Sequence, residues 1–291
     1  MMNTAMILLV GEQPLPNLLP TRHLKPNPAV LVYTDRTRRI AENLEGLLDC
    51  QCLPCPVSPY NIPEIQDEVH EFLSERLPDY AFTFNLTGGT KPMALAAFSL
   101  ARSYNAPFVY FQTEGNHSRL YHYAFDENTV YLERVEDLPD TIALDDYLRM
   151  YLGRYEVGEP RNELECQVRE TLRAKSDLEV LWSLRPQGLE ALEVDFVVRL
   201  GNQVGVGEVK TKGAKSGIDQ INAVAEQRYL GTYVWKFLIS GKPMDGNNRN
   251  LAQAYRIEVI ELPTYDETGL LDTRDREKLI ETIVTRLGGQ V

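Results

Sequence analysis

Two carboxylates and one amine stand close together in the second half of the chain, and such a set can hydrolyse a phosphodiester. Asp195 is followed, after twelve intervening residues, by Glu208-Val209-Lys210. A Gly-Asn pair at 201–202 predicts a β-hairpin turn between them. Since side chains alternate along a strand, Glu208 and Lys210 share a face and Asp195 can meet Glu208 across the pair. Converging carboxylates suit a divalent metal and an activated water, so the pattern predicts a metal-dependent phosphodiesterase.

A second candidate site lies in the first half, in the run Asn-Leu-Thr-Gly-Gly-Thr-Lys-Pro-Met at 85–93. The run joins a predicted strand to a predicted helix, and its two glycines allow a tight turn and a close approach to a ligand. Thr90 can cap the helix, and Pro92 suits its first turn. Free amides at a helix N-terminus, beside Lys91, favour an anion such as phosphate. The run is not a Walker A loop, but it predicts a phosphate-binding turn.

Two further loops follow predicted strands at the same edge of the sheet. One loop is 11–14, after the first strand, and the other is 113–116, after the strand that ends at Gln112. Ligands of open α/β sheets bind at the carboxyl ends of strands. Gln13 and Gln112 are therefore candidate ligand contacts, by loop position alone.

Alternating strands and helices must position these residues. Short apolar runs and helical periodicity predict a doubly wound α/β domain at 1–145, a linker at 146–160 and a second α/β domain at 161–291. The first domain has predicted strands at 6–10, 30–33, 81–85 and 108–112, helices at 36–48, 64–77 and 92–104, and a hairpin over 120–134. The second has predicted helices at 162–175, 217–229, 248–255 and 274–287, the hairpin at 191–211, and strands at 233–240 and 257–262.

The composition limits the function classes. The chain has 42 acidic residues and 30 Lys and Arg, which give a net charge of −12. A protein this acidic cannot bind a polynucleotide through its overall charge. A nucleic acid would need a local basic patch together with a metal. The apolar start at 1–10 lacks a basic flank and predicts a strand rather than a signal peptide. We therefore expect a cytoplasmic protein without a membrane partner.

Three of the four cysteines, Cys50, Cys52 and Cys55, form a C-x-C-x-x-C run. A zinc site needs a fourth ligand at workable spacing, and the neighbouring sequence offers none. Reduced thiols in a core or a strand are the favoured interpretation, and zinc is the minor alternative.

The Asn-x-Thr-Gly-Gly-Thr-Lys-x-Met core of the run at 85–93 resembles the signature of CARF domains, the Rossmann-like sensors of cyclic oligoadenylate in type III CRISPR systems. The D…E-x-K pattern is similar to that of PD-(D/E)xK, restriction-endonuclease-like nucleases. The two halves in this order resemble the CARF-nuclease ancillary effectors of type III CRISPR immunity.

This resemblance implies a homodimer that binds a cyclic oligoadenylate, most often cyclic tetra-adenylate, across its twofold axis. The ligand would allosterically activate cleavage of DNA, and possibly of RNA, in antiviral defence. Matched ligand-binding positions are Thr87, Gly88, Gly89, Thr90 and Lys91.

In the second domain, the resemblance implies that Asp195 and Glu208 hold Mg²⁺ or Mn²⁺, with the Val209 carbonyl as a further ligand. Lys210 would orient the attacking water, lower the pKa of that water, or stabilise charge on the phosphorane. These nucleases also use an acid from the first helix of the domain, for which Glu165 is the choice and Glu163 the alternative.

Lys212 and Gln220 are candidate contacts to the substrate backbone. An alternative function is a non-catalytic sensor or regulator whose nuclease-like domain is degenerate. A transcription regulator would need a basic recognition helix, which the sequence does not indicate. A third possibility, cleavage of the ring ligand by the sensor domain with help from Lys91, ranks lowest.

Overall fold

The computed structural model describes residues 3–115, 117–127, 129–188, 193–224, 230–231 and 234–289. The chain divides into two compact units, Met1–Thr141 and Ile142–Val291. The first unit contains, in order, β1 (Thr4–Leu9), α1 (Leu15–Leu24), β2 (Ala29–Tyr33), a 3-10 turn (Asp35–Thr37), α2 (Arg38–Glu45), β3 (Cys52–Pro56), α3 (Ile62–Arg76), β4 (Ala81–Asn85), α4 (Lys91–Ser103), β5 (Phe108–Glu114), β6 (His117–Asp126) and β7 (Thr129–Asp137).

These strands form one sheet with the order β3-β2-β1-β4-β5-β6-β7. The first five strands in this order are parallel, and β6 and β7 continue the sheet in antiparallel pairing. The chain moves outward from β1 to β3 and then returns to place β4 on the other side of β1. The loops after β1 and β4 therefore meet at a topological switch point, the usual ligand position of such sheets. The predicted α/β class and Rossmann-like first half are confirmed.

Two elements of this unit were missing from the sequence-based prediction, and both contain proline. Helix α1 carries Pro20 in its interior, and strand β3 carries Pro54 and ends at Pro56. Proline normally argues against a helix interior or a strand. β3 tolerates it because it is the edge strand of the sheet, where one side of the backbone needs no partner.

The second unit contains α5 (Leu144–Leu152), β8 (Tyr155–Glu156), α6 (Glu163–Arg173), β9 (Glu179–Pro186), β10 (Val194–Leu200), β11 (Gln203–Lys210), α7 (Ala214–Val224), β12 (Trp235–Ser240), α8 (Gly246–Ala254), β13 (Ile257–Glu261), α9 (Pro263–Thr268) and α10 (Thr273–Arg286). Its sheet has the order β13-β12-β11-β10-β9-β8. β8 to β11 pair antiparallel, and β11 to β13 pair parallel. The predicted helix at 217–229 and hairpin at 191–211 include residues 225–229 and 191–192, which lie outside the described residues.

The core of the second unit lies on the face of the sheet that α6 and α10 cover. Trp182 and Phe196 stack there with ring centroids 5.4 Å apart. A Cβ on Gly207 would lie 2.1 Å from the Phe196 ring, so β11 needs a glycine opposite this aromatic residue. Because strands alternate, Asp195 and Glu208 point to the opposite face, away from this apolar core.

Residues 146–160, predicted as a linker, contain most of α5 and all of β8. Asp145 and Asp146 lie in the first turn of α5, where acidic side chains stabilise a helix N-terminus. The hydroxyl of Tyr147 donates to the Leu230 carbonyl over 2.6 Å, which anchors the helix within the second unit. Within the part of the chain that the structure describes, no helix is long and apolar enough to span a bilayer.

All four cysteines are free thiols. Burial raises the pKa of Cys52 and of Cys55 to about 12, so neither ionises readily. The interpretation of the C-x-C-x-x-C run as reduced thiols stays a prediction.

Candidate functional site

The β10–β11 hairpin brings the predicted acids to the same place. Phe196 pairs with Gly207, and this register places Asp195 directly opposite Glu208 on the neighbouring strand. The Val209 backbone N–H donates to Asp195 Oδ2 over 2.7 Å, which fixes the Asp195 carboxylate against β11. Lys210 Nζ donates to Glu208 Oε2 over 2.8 Å. Two carboxylates and an ammonium group, from two paired strands, thus form one charged cluster.

Burial controls the electrostatics of this cluster. Glu208 is 1% exposed, and burial together with the neighbouring Asp195 carboxylate raises the pKa of Glu208 to about 8. Lys210 lowers it, but by less. Partial burial opposes the charge on Lys210, yet its bond to Glu208 and the fields of Glu208, Asp195 and Glu165 raise its pKa overall. Near neutral pH the folded protein therefore keeps a proton on Glu208, and a cation bound between the two carboxyl groups would displace that proton.

Glu165 lies near this cluster but has a structural task as well. Glu165 is buried in the first turn of α6, and its negative charge contributes to the raised pKa of Lys210. Glu165 Oε2 accepts from the Arg161 backbone N–H (2.8 Å), and Oε1 accepts from Asn162 Nδ2 (2.5 Å). Asn162 Oδ1 accepts in turn from the Glu165 backbone N–H, so the pair forms a reciprocal N-terminal cap. The alternative acid, Glu163, instead accepts from Gln167 on the same helix.

The predicted substrate contacts lie on the C-terminal side of the hairpin. Lys212 is exposed in the turn after β11, and Gln220 is exposed on α7. α7 packs against β11, where a Cβ on Gly217 would lie 3.0 Å from the Lys210 side chain. Among the described residues, no group of three or more His, Cys, Asp or Glu side chains is arranged to hold a metal ion. The hairpin offers two carboxylates and the Val209 carbonyl as possible metal ligands.

Sequence reasoning missed three charged side chains beside this site, namely Arg161, Arg185 and Glu193. Arg161 and Arg185 both pair with Glu193, which precedes Asp195 by two residues. The alternation rule would have placed Glu193 on the same face as Asp195. The Asn162-x-x-Glu165 spacing is likewise a capping-box signature that the sequence displays.

In the first unit, the loops after β1 and β4 are in close contact. A Cβ on Gly88 would lie 1.9 Å from the Leu9 carbonyl oxygen, so only glycine fits there. Asn17 Nδ2 donates to the Leu9 carbonyl over 2.9 Å, and Asn85 Nδ2 donates to Asn17 Oδ1 over 3.2 Å. These two fully buried amides join the ends of both strands and hold the loops in place.

The predicted phosphate-binding turn is ordered by its own polar groups. Thr87 Oγ1 donates to Asn85 Oδ1 and accepts from the Phe111 backbone N–H, both over 2.7 Å. Thr90 is the N-cap of α4, with its side chain accepting from Met93, and Gly89 has a φ of 70°. Lys91 is the first residue of α4 and is exposed. The N-terminus of α4, with its partial positive charge, and this lysine form a cationic end to the turn.

The two glutamines lie at the same edge of the sheet. Gln13 is half-buried in the loop after β1. Gln112 is half-buried on β5, and its Nε2 donates to the Thr113 carbonyl over 3.1 Å. The carboxyl-end edge thus holds each of the residues predicted for the first site.

The family model of the Card1 CARF domain matches residues 5–147. No curated protein sequence matches the chain. Can2 from Sulfobacillus thermosulfidooxidans, solved in complex with cyclic tetra-adenylate, aligns over 96% of this chain and 98% of its own, at 16% identity and a TM-score of 0.74.

Protein VC1899 from Vibrio cholerae aligns over 99% of both chains, at 14% identity and a TM-score of 0.74. A type III CRISPR defence DNA nuclease activated by cyclic oligoadenylate aligns over 96% of this chain and 44% of its own, at 13% identity and a TM-score of 0.55. The first half of this chain therefore matches the CARF domain of Card1, and the whole chain shares its fold with Can2 and VC1899.

Proposed function

We propose that this protein is a metal-dependent nuclease that a cyclic oligoadenylate activates, and that it acts in type III CRISPR antiviral defence. The observation that carries the proposal is the placement of Asp195 opposite Glu208, with Lys210 on the same cluster, in a chain whose first half matches a CARF domain. We assign the second unit to the restriction-endonuclease-like PD-(D/E)xK nucleases on the strength of this hairpin.

The first unit would be the sensor. Its β1 and β4 loops meet at the switch point of the sheet, where the Gly88-Gly89 turn leads into the N-terminus of α4 beside Lys91. Such an arrangement suits the phosphates of a nucleotide. Since Can2 was solved with cyclic tetra-adenylate, we propose that ring as the ligand, bound between two copies of this chain. Thr87, Gln13 and Gln112 would complete the site, Thr87 chiefly by ordering the turn.

The second unit would hydrolyse the phosphodiester. Asp195, Glu208 and the Val209 carbonyl are oxygen donors of the kind that Mg²⁺ and Mn²⁺ prefer, and the buried Glu208 next to Asp195 is a charge pattern that a divalent cation fits. When bound, the cation would supply Lewis acidity and a more acidic water. Lys210, fixed by Glu208, would place its ammonium group by the scissile phosphate and stabilise the charge that develops there.

Glu165, Lys212 and Gln220 have supporting roles in this proposal. Glu165 would orient the attacking water from its position in the first turn of α6. It would have to release its hydrogen bonds to the cap in order to do so. Lys212 and Gln220 are exposed beyond β11 and would contact the substrate backbone.

A cleavage assay tests the proposal. Supercoiled plasmid, single-stranded DNA and single-stranded RNA would be incubated with Mn²⁺ or Mg²⁺, with and without cyclic tetra-adenylate. We expect cleavage that requires both metal and ring and that Glu208→Gln abolishes. Glu258→Gln is a matched control, because Glu258 lies on β13 in an ion pair with Arg286. Equal cleavage by wild type and Glu208→Gln would refute the assignment of the site.

A non-catalytic sensor is the second candidate, and one observation favours it. Both oxygens of Glu165 serve the cap of α6, so this acid already has a structural role. If the protein binds cyclic tetra-adenylate but cuts neither DNA nor RNA with either metal, the sensor function stands and the nuclease function falls.

A further inference from the structure

A cluster of two arginines lies beside the candidate catalytic centre. Glu193 immediately precedes β10 and comes two residues before Asp195, so in extended backbone both side chains point to the same face and their Cα atoms lie roughly 7 Å apart. Glu193 Oε1 accepts from Arg161, and it also accepts from Arg185 Nη2 and Ser183 Oγ, each over 3.0 Å. One carboxylate oxygen thus gathers two guanidinium groups next to Asp195.

The two arginines come from separate elements, and both are held in position. Arg185 is on β9, in register with Glu193 on the neighbouring chain segment, as Leu184 pairs with Val194. Arg161 precedes α6, and its backbone N–H donates to Glu165 over 2.8 Å. The cap of α6 therefore fixes the Arg161 backbone, and the sheet fixes that of Arg185.

Both guanidinium groups keep donors that face solvent. The side chains of Arg161 and Arg185 are 54% and 46% exposed, while that of Glu193 is 23% exposed. A guanidinium carries five N–H donors in a planar fork that matches the oxygens of a phosphate. One carboxylate balances only one of the two positive charges, so the cluster retains a net charge of +1 in a protein with a net charge of −12.

A purely structural role accounts poorly for this arrangement. An exposed ion pair contributes about 0–1 kcal/mol to the free energy of unfolding. A carboxylate shared by two arginines also leaves two positive charges close together. The position of the two arginines next to Asp195 and Glu208 indicates a role in substrate binding instead. A polynucleotide in the site needs a local cationic contact, because the two acids repel its phosphates.

We propose that Arg161 and Arg185 form a phosphate-binding subsite for the nucleic-acid substrate, which takes the phosphate next to the scissile one. Glu193 holds both guanidinium groups in place while the subsite is empty, and their solvent-facing donors bind the phosphate oxygens. This inference rests on the proposed nuclease function, because it places the scissile phosphate at Asp195 and Glu208.

Binding of a fluorescein-labelled single-stranded DNA, followed by anisotropy with Mg²⁺ and cyclic tetra-adenylate, tests the subsite. A Glu208→Gln background prevents cleavage during the titration. In it we expect Arg161→Gln and Arg185→Gln each to weaken binding about tenfold and to reduce the slope of log affinity against log salt by about 1. Arg161→Lys and Arg185→Lys should keep the salt slope, because lysine keeps the positive charge. They should bind DNA less tightly than the arginine forms, because lysine lacks the planar set of N–H donors that matches a phosphate.

Arg249→Gln is the matched control, because Arg249 is 57% exposed and pairs with Glu261 on β13, on another strand. In the Glu208→Gln background, which is the parent protein of the titration, Arg249→Gln should leave the affinity for DNA and the salt slope unchanged. If Arg161→Gln and Arg185→Gln behave like this control, or if the parent protein binds no DNA, the subsite is refuted. If the arginine-dependent binding is found but the wild-type protein never cleaves, Arg161 and Arg185 bind a phosphate of DNA that is not next to a scissile one, and the nuclease proposal is refuted.

Discussion

Replacing Glu208 with glutamine is expected to remove a pH-dependent loss of stability from the metal-free protein. Glu208 is 1% exposed, and Asp195 lies opposite it in the hairpin. Burial and this neighbouring carboxylate raise the pKa of Glu208 from 4.5 to about 8. The folded protein therefore holds a proton on Glu208 in a pH range where the unfolded chain has released it.

The sign and size of the effect follow from this difference. The contribution to stability is fully present below about pH 4.5, where the unfolded chain is protonated too, and it is lost as pH rises through about 8. A shift of this size corresponds, at about 1.4 kcal/mol per pH unit, to a free energy on the order of 5 kcal/mol. Glutamine carries no titrating proton, so the Glu208→Gln variant should lack this loss.

Tryptophan fluorescence isolates the relevant unfolding transition. Trp182 and Trp235, the two tryptophans of the chain, both lie in the second unit. Trp182 stacks on Phe196, the residue after Asp195, with ring centroids 5.4 Å apart. Urea denaturation at about pH 5.5, 7 and 8.5 in the presence of a chelator would give the free energy of unfolding for each protein.

Two results would refute this reasoning. The first is a wild-type stability that falls with pH no more steeply than that of Glu208→Gln. The second concerns divalent cations, which should stabilise the wild type most at high pH, where Glu208 has lost its proton. A cation that stabilises wild type and variant equally would place its binding elsewhere. Glu258→Gln, which removes the partly exposed ion pair with Arg286, should follow the wild type at every pH.

Three further substitutions test the two sites. Gly88→Ala should destabilise the first unit by at least about 3 kcal/mol, measured by calorimetry, since the new Cβ would lie 1.9 Å from the Leu9 carbonyl oxygen. Lys91→Ala should weaken binding of cyclic tetra-adenylate about tenfold by calorimetric titration without lowering the melting temperature, because the side chain is exposed. Asn162→Ala should lower the stability of the second unit by about 1 kcal/mol in urea, because it removes the cap of α6 and a donor to Glu165. An unchanged affinity of Lys91→Ala for the ring, or an unchanged stability of Gly88→Ala or Asn162→Ala, would contradict the role assigned to that residue.

Local sequence patterns predicted much of the fold, and their failures have physical causes. Buried parallel strands such as Ala29–Tyr33 are continuous apolar runs, and amphipathic helices such as Ile62–Arg76 have a clear period, so both were predictable. Strand Cys52–Pro56 was not, because its prolines are tolerated only at a sheet edge, and edge position is a property of the assembled sheet. The residues predicted as a linker at 146–160 resemble one in composition, but their apolar side chains have a core to pack against.

For the candidate sites, the sequence by itself determined which residues could do chemistry and which neighbours share a strand face. The alternation of side chains and the Gly-Asn turn at 201–202 were enough to place Asp195 opposite Glu208, because a hairpin is a local structure. Only the tertiary structure decided which side chains from distant segments join them. Arg161, Arg185 and Glu193 meet because a helix cap, a third strand and the hairpin pack together, and no spacing along the chain encodes a contact made by three separate elements.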